Sequence, residues 1–96
     1  MTKKYIEKIL TARVYDVAAE TPLDEAVTMS KRQNNRVLLK REDLQSVFSF
    51  KLRGAYNHIY QLTRTKEVKG VVAASAGNHE QGVALSAKKM GIQATI

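Results

Sequence analysis

Ninety-six residues suit one domain at most, and an apolar fraction of 44% allows a modest core and gives no reason to expect disorder. The absence of cysteine excludes a disulfide framework and thiolate metal sites, and no apolar run is long enough for a secretory signal or a membrane-spanning helix. The net charge of +7 is scattered over isolated lysines and arginines with no tight basic run between aromatics, so it reads as solvated helix faces and not as a nucleic-acid surface. These totals are compatible with a cytoplasmic protein that meets neither membrane nor nucleic acid.

In chain order, residues 3–12 read as a short amphipathic helix, with Ile6, Ile9 and Leu10 on one side. Arg13-Val14-Tyr15-Asp16-Val17 alternates and is read as extended, part of a leader that ends at the break Thr21-Pro22-Leu23. Residues 24–34 form a short helix or turn. Val37-Leu38-Leu39, an apolar run between polar residues, reads as a buried strand. A loop over Arg41–Gln45 leads to a helix whose face is Leu52, Ala55, Tyr56, Ile59 and Leu62. Gly70–Ala74 is a second buried strand, Ser75–Asn78 a turn, and a second helix runs from about His79 to Lys88, Lys89 and a capping Gly91. Ile92–Ile96 starts a third strand. The alternation implies an α/β fold with a partial parallel sheet and flanking helices. The chain stops inside a strand, which predicts a piece of a larger protein.

Two places carry candidate chemistry. Lys51 sits at the mouth of a helix that Ser49 can cap, in the positive end of the helix dipole, a position that suits a neutral amine nucleophile. Spacing alone favours the plainer reading, a solvated surface lysine. Ser75–His79 opens the next helix with outward backbone N–H groups, which is either an anion site or an ordinary capped turn. Ala73-Ala74-Ser75-Ala76-Gly77 also approximates a hydrolase nucleophile elbow, but the only later histidine and acid are His79 and Glu80, too close for a triad. Gly77 and Gly82 are wrongly spaced for a dinucleotide fingerprint. His58 and His79 are not at metal-ligand spacing, so no metal site is expected.

The residues themselves go further. Ser49-Phe50-Lys51-Leu52-Arg53-Gly54-Ala55 and Ser75-Ala76-Gly77-Asn78-His79-Glu80-Gln81-Gly82-Val83-Ala84 resemble the two signatures of the pyridoxal 5′-phosphate (PLP) dependent serine/threonine dehydratases. The resemblance extends to Tyr15–Ala18, Thr21–Leu23 and Arg36–Gln45. Val47-Phe48-Ser49-Phe50-Lys51 is similar to the biosynthetic threonine dehydratase branch; catabolic members and serine racemases usually carry a Thr-Gly pair before the Ser-Phe-Lys. Asn34-Asn35-Arg36 stands where a glycine-containing turn is usual, and Glu80 where alanine is.

The resemblance implies a tryptophan-synthase-β-like (fold type II) PLP enzyme, with 1–23 a leader and 24–96 the start of the cofactor-binding domain. It implies deamination of L-threonine, with L-serine as an alternative substrate, to 2-oxobutanoate and ammonia in isoleucine biosynthesis, by a homo-oligomer. Lys51 would form the Schiff base and move the α-proton, Phe50 would pack near the cofactor ring, and Asn78 would bond the ring oxygen. Ser75, Ala76, Gly77, Asn78 and His79 would hold the amino acid. The family's glycine-rich phosphate loop has no counterpart, because glycines 54, 70, 77, 82 and 91 are dispersed. The chain alone is therefore expected to bind PLP weakly and to be inactive. A catabolic or racemase-type enzyme and a non-catalytic stub are the remaining alternatives.

Overall fold

The computed structural model describes residues 2–96. Helix α1 spans Thr2–Thr11 and buries none of its residues. Arg13–Val17 is not extended: a 3-10 turn covers Val14–Asp16. The Arg13 guanidinium donates to Asp16 Oδ1 at 3.1 and 3.2 Å, and Asp16 N–H donates to the Arg13 carbonyl, so a local ion pair closes the turn.

Two small sheets follow in place of one three-stranded sheet. Strand β1 (Leu23–Glu25) pairs antiparallel with β2 (Leu38–Lys40), and the short helix α2 (Val27–Arg32) joins them. The run Val37-Leu38-Leu39 therefore feeds a hairpin-like ladder and not the parallel sheet, and Leu38 and Leu39 are exposed. Its apolar character suggested burial, but its register is set by partners that were less legible. Ala26 N–H donates to the Val37 carbonyl, and the buried Ser30 Oγ accepts from Val37 N–H at 2.9 Å. Asn34 takes a positive φ of 46°, a left-handed conformation that asparagine tolerates, so the turn does without glycine.

The C-terminal half follows the expected α/β path. Helix α3 spans Lys51–Thr65, β3 Gly70–Val72, α4 Asn78–Met90 and β4 Gln93–Thr95. Strands β3 and β4 are parallel, with Gly70, Val71 and Val72 opposite Gln93, Ala94 and Thr95. Gly91 ends α4 at φ 71°, where its N–H and that of Ile92 return to Lys88 and Ala87 carbonyls.

The core lies between α3 and α4. Ala55, Ile59 and Val83 form its centre, with Val71, Ala73, Met90 and Ile92 against it, and Leu52 is fully buried. The parallel strands stay largely open: Val72, in the middle of what read as a buried strand, is 84% exposed. The radius of gyration is 16.3 Å, against about 12.5 Å for a compact chain of this length. The described residues are elongated, extending 52 × 35 × 20 Å, and α1 buries none of its residues.

Candidate active site

Lys51 is the first residue of α3 and is exposed. Two devices fix that helix start. Upstream, Gln45 is buried and clamped: its Oε1 accepts from Ala19 N–H at 2.8 Å, while its Nε2 donates to the Ala19 carbonyl at 2.7 Å and to Glu42 Oε2 at 2.6 Å. The turn that follows is closed by Phe48 N–H to the Gln45 carbonyl at 2.8 Å, with Phe48 at φ 60°. A left-handed conformation is strained for an aromatic residue, and such strain gathers at functional sites. The expected cap is present in a shifted form. Ser49 is buried and its Oγ accepts from Lys51 N–H at 3.4 Å, while Phe50 holds the capping position without a side-chain bond.

The second device is Gly82. A Cβ built there would meet Leu52 Cα and N at 3.1 Å and the Lys51 carbonyl carbon at 3.2 Å. These are main-chain atoms, so α4 lies with its backbone directly on the first turn of α3. Asn78, the first residue of α4, is one helical turn before this contact. The exposed start of α4 and the exposed start of α3 are therefore neighbours.

Ser75, Ala76 and Gly77 form the loop leaving β3, with Gly77 extended at φ −167° and its N–H donating to Ser75 Oγ at 3.4 Å. Among the described residues neither histidine bonds Ser75, so the hydrolase arrangement has no base. A groove of about 390 Å³ beside β3 is lined by Gly54, His58, Ile59, Val71, His79 and Val83. His79 joins it, whereas Lys51, Ser75 and Asn78 lie outside its lining. Phe50 is exposed, as is Asn78. The donor set gathered at the two helix starts is a primary amine, an amide, a hydroxyl and main-chain N–H groups. Such a set fits an aldehyde-bearing, anionic cofactor and an amino acid's carboxylate.

A polar network straps the Val14–Asp16 turn to α3. Tyr56 Oη donates to Asp16 Oδ2 at 2.8 Å, and Arg53 Nε donates to Glu42 Oε1 at 2.8 Å while its guanidinium lies 5.3 Å from the Tyr15 ring centroid. Burial, then the bond to anionic Asp16, pushes the Tyr56 phenol up to about 12. The Tyr56 bond, then Arg13, holds the Asp16 carboxyl below its ordinary value despite partial desolvation. Burial raises Glu42, but the bonds from Gln45 and Arg53 outweigh it and leave the carboxyl lowered.

The sequence reading missed Gln45, Phe48 and the contact made by Gly82. A glycine inside a helical pattern was the one available signal. A buried glutamine has no sequence signature, and left-handed strain at a phenylalanine has none either.

This chain belongs to the pyridoxal-phosphate dependent enzymes, whose family model matches residues 14–96. Over 92 residues it is 60% identical to the biosynthetic L-threonine dehydratase IlvA of Burkholderia multivorans, covering 96% of this chain and 18% of that protein. It is 57% identical over 93 residues to the chloroplastic biosynthetic threonine dehydratase of Arabidopsis thaliana, covering 97% of this chain and 16% of that one. The fold matches the processed form of threonine deaminase isoform 2 from Solanum lycopersicum with a TM-score of 0.86 and 52% identity, over 95% of this chain and 25% of that structure. The chain thus spans less than a fifth of the length of these two curated relatives.

Proposed function

We propose that these residues are the Lys51-bearing N-terminal part of the catalytic domain of a biosynthetic threonine dehydratase, with 1–23 a leader and 24–96 the start of the cofactor domain. The enzyme deaminates L-threonine to 2-oxobutanoate and ammonia for isoleucine synthesis. The observation that carries the reading is the main-chain contact of Gly82 with Lys51 and Leu52, which makes neighbours of the two signature stretches.

When bound, PLP supplies an electron sink for negative charge at the amino acid's α-carbon. The chain's residues do the rest. The Lys51 amine would hold the cofactor by its aldehyde carbon and, as a neutral amine, would move the α-proton. Asn78 would donate to the ring oxygen and Phe50 would pack by the ring. Main-chain N–H groups of Ser75 to His79, at the N-terminus of α4, hold the substrate carboxylate. L-Serine differs by one methyl and is the expected slower substrate. We take the whole protein to be a cytoplasmic homo-oligomer. Among the described residues no helix is long and apolar enough to cross a membrane.

The serine-racemase and catabolic branch is the second reading. Against it stands Phe48, a strained non-glycine residue at the position where that branch relaxes the turn with glycine.

The test is a hybrid enzyme in which these 96 residues replace the matching stretch of the Burkholderia multivorans relative, with which they are 60% identical. The hybrid turns over L-threonine, and Lys51→Ala lowers that turnover by about a thousand-fold or more. Retained turnover in Lys51→Ala, or racemisation without ammonia release, would refute the reading.

A further inference from the structure

Gly82 stands in the interior of the thirteen-residue α4, where glycine is a poorer helix former than alanine. A positive φ is not the reason, because Gly91 is the glycine that adopts one. What Gly82 does is admit another backbone. Its missing Cβ would sit 3.1 Å from Leu52 N and Cα and 3.2 Å from the Lys51 carbonyl carbon, closer than main-chain atoms can yield without moving a helix. The contact is locked on both sides. Leu52 and Ser86 are fully buried, and Ser86 Oγ donates to the Gly82 carbonyl at 2.6 Å.

We infer that Gly82 is a positioning residue for Lys51: by letting α4 rest on the first turn of α3, it sets the distance between the lysine and the Ser75–Asn78 loop one turn away. This deepens the reading of Lys51 and that loop as one site and rests on it. A ligand tied to Lys51 at one end and held by the loop at the other tolerates little change in that separation. An alanine at 82 must push the helices apart by a few tenths of an ångström. Small misplacements of that kind are felt in turnover before they are felt in folding.

The experiment uses the hybrid enzyme, after wild-type turnover and its loss in Lys51→Ala have established the site. Gly82→Ala is compared with Ile59→Val, which thins the same α3–α4 core two turns beyond Lys51 without prying the backbones apart. Readouts are kcat and KM for L-threonine, PLP affinity, and the visible absorbance of the lysine-bound cofactor as a function of pH. Gly82→Ala is expected to lower kcat ten- to a hundred-fold and to shift the pH midpoint of that absorbance, while Ile59→Val, at a comparable loss of Tm, leaves both within two-fold or unshifted. If Gly82→Ala yields no folded protein, Ser86→Thr is substituted. It keeps the hydroxyl, adds a methyl one turn further along the same face, and is expected to give the same signature. Wild-type kcat and absorbance in the folded variant, or equal effects from Ile59→Val, would overturn the assignment.

Discussion

Tyr56 and Asp16, forty residues apart in sequence, share a 2.8 Å hydrogen bond that fastens the Val14–Asp16 turn to the helix bearing Lys51. Tyr56 is buried and Asp16 half-buried, so the bond is shielded yet its acceptor keeps some water. A bond to a charged acceptor is net stabilising in that setting. Tyr56→Phe in the hybrid enzyme should lower the midpoint of urea unfolding.

The same pair gives a pH dependence. The Asp16 carboxyl is lowered in the folded protein, so its contribution is present above its unfolded pKa and is lost as acid protonates it. The Tyr56 phenol is raised to about 12, so its contribution is present below its unfolded value near 10 and disappears between about pH 10 and 12. The stability difference between wild type and Tyr56→Phe should therefore be a plateau at neutral pH that falls away at both ends. A difference that grew in acid would contradict the pairing.

Gln45 offers a sharper chemical test. Its amide satisfies both the N–H and the carbonyl of Ala19 and donates to Glu42. Gln45→Ala leaves those groups without their partner and should cost about 2 kcal/mol. Gln45→Glu should be worse at neutral pH, because a carboxylate cannot donate and would face the Ala19 carbonyl and the Glu42 carboxylate. Protonation restores the donor, so the glutamate variant should recover relative to alanine as pH falls. Hydrogen exchange at Ala19 N–H should quicken in Gln45→Ala.

Phe48 separates backbone strain from side-chain packing. The residue is 76% exposed, so truncation removes little burial, but φ of 60° costs an L-residue roughly 1–2 kcal/mol. Alanine inherits that cost and glycine does not. Phe48→Gly should therefore be more stable than Phe48→Ala by about 1 kcal/mol, after allowance for glycine's looser unfolded state. Thermal unfolding of the two variants checks the ordering, and an alanine variant at least as stable as the glycine one would rule the strain out.

What the sequence made legible was what periodicity and capping control. The face Leu52, Ala55, Tyr56, Ile59 of α3, the cap at Gly91 and the parallel pairing of β3 with β4 all follow from local pattern. The hairpin pairing of Leu38–Lys40 was not legible, because a three-residue apolar run carries no information about its partner. The turn at Arg13–Asp16 was hidden because an ion pair three residues apart outweighed weak alternation. At the site, Lys51 and Ser75–His79 were visible as motifs whose resemblance to one cofactor site implied that they face one ligand, whereas the contact that sets their separation was not visible. That separation depends on Gly82 touching a backbone thirty residues earlier, a relation that exists only once both helices are packed.

The central claim is that Lys51 is the residue that bonds the cofactor. Borohydride reduction of the PLP-loaded hybrid enzyme, followed by peptide mapping, tests it most directly. The prediction is one pyridoxyl group per chain, fixed on the peptide containing Ser49-Phe50-Lys51, and its absence from that peptide in Lys51→Ala. Stoichiometric label on another lysine in an active enzyme, or turnover with no reducible adduct, would contradict it.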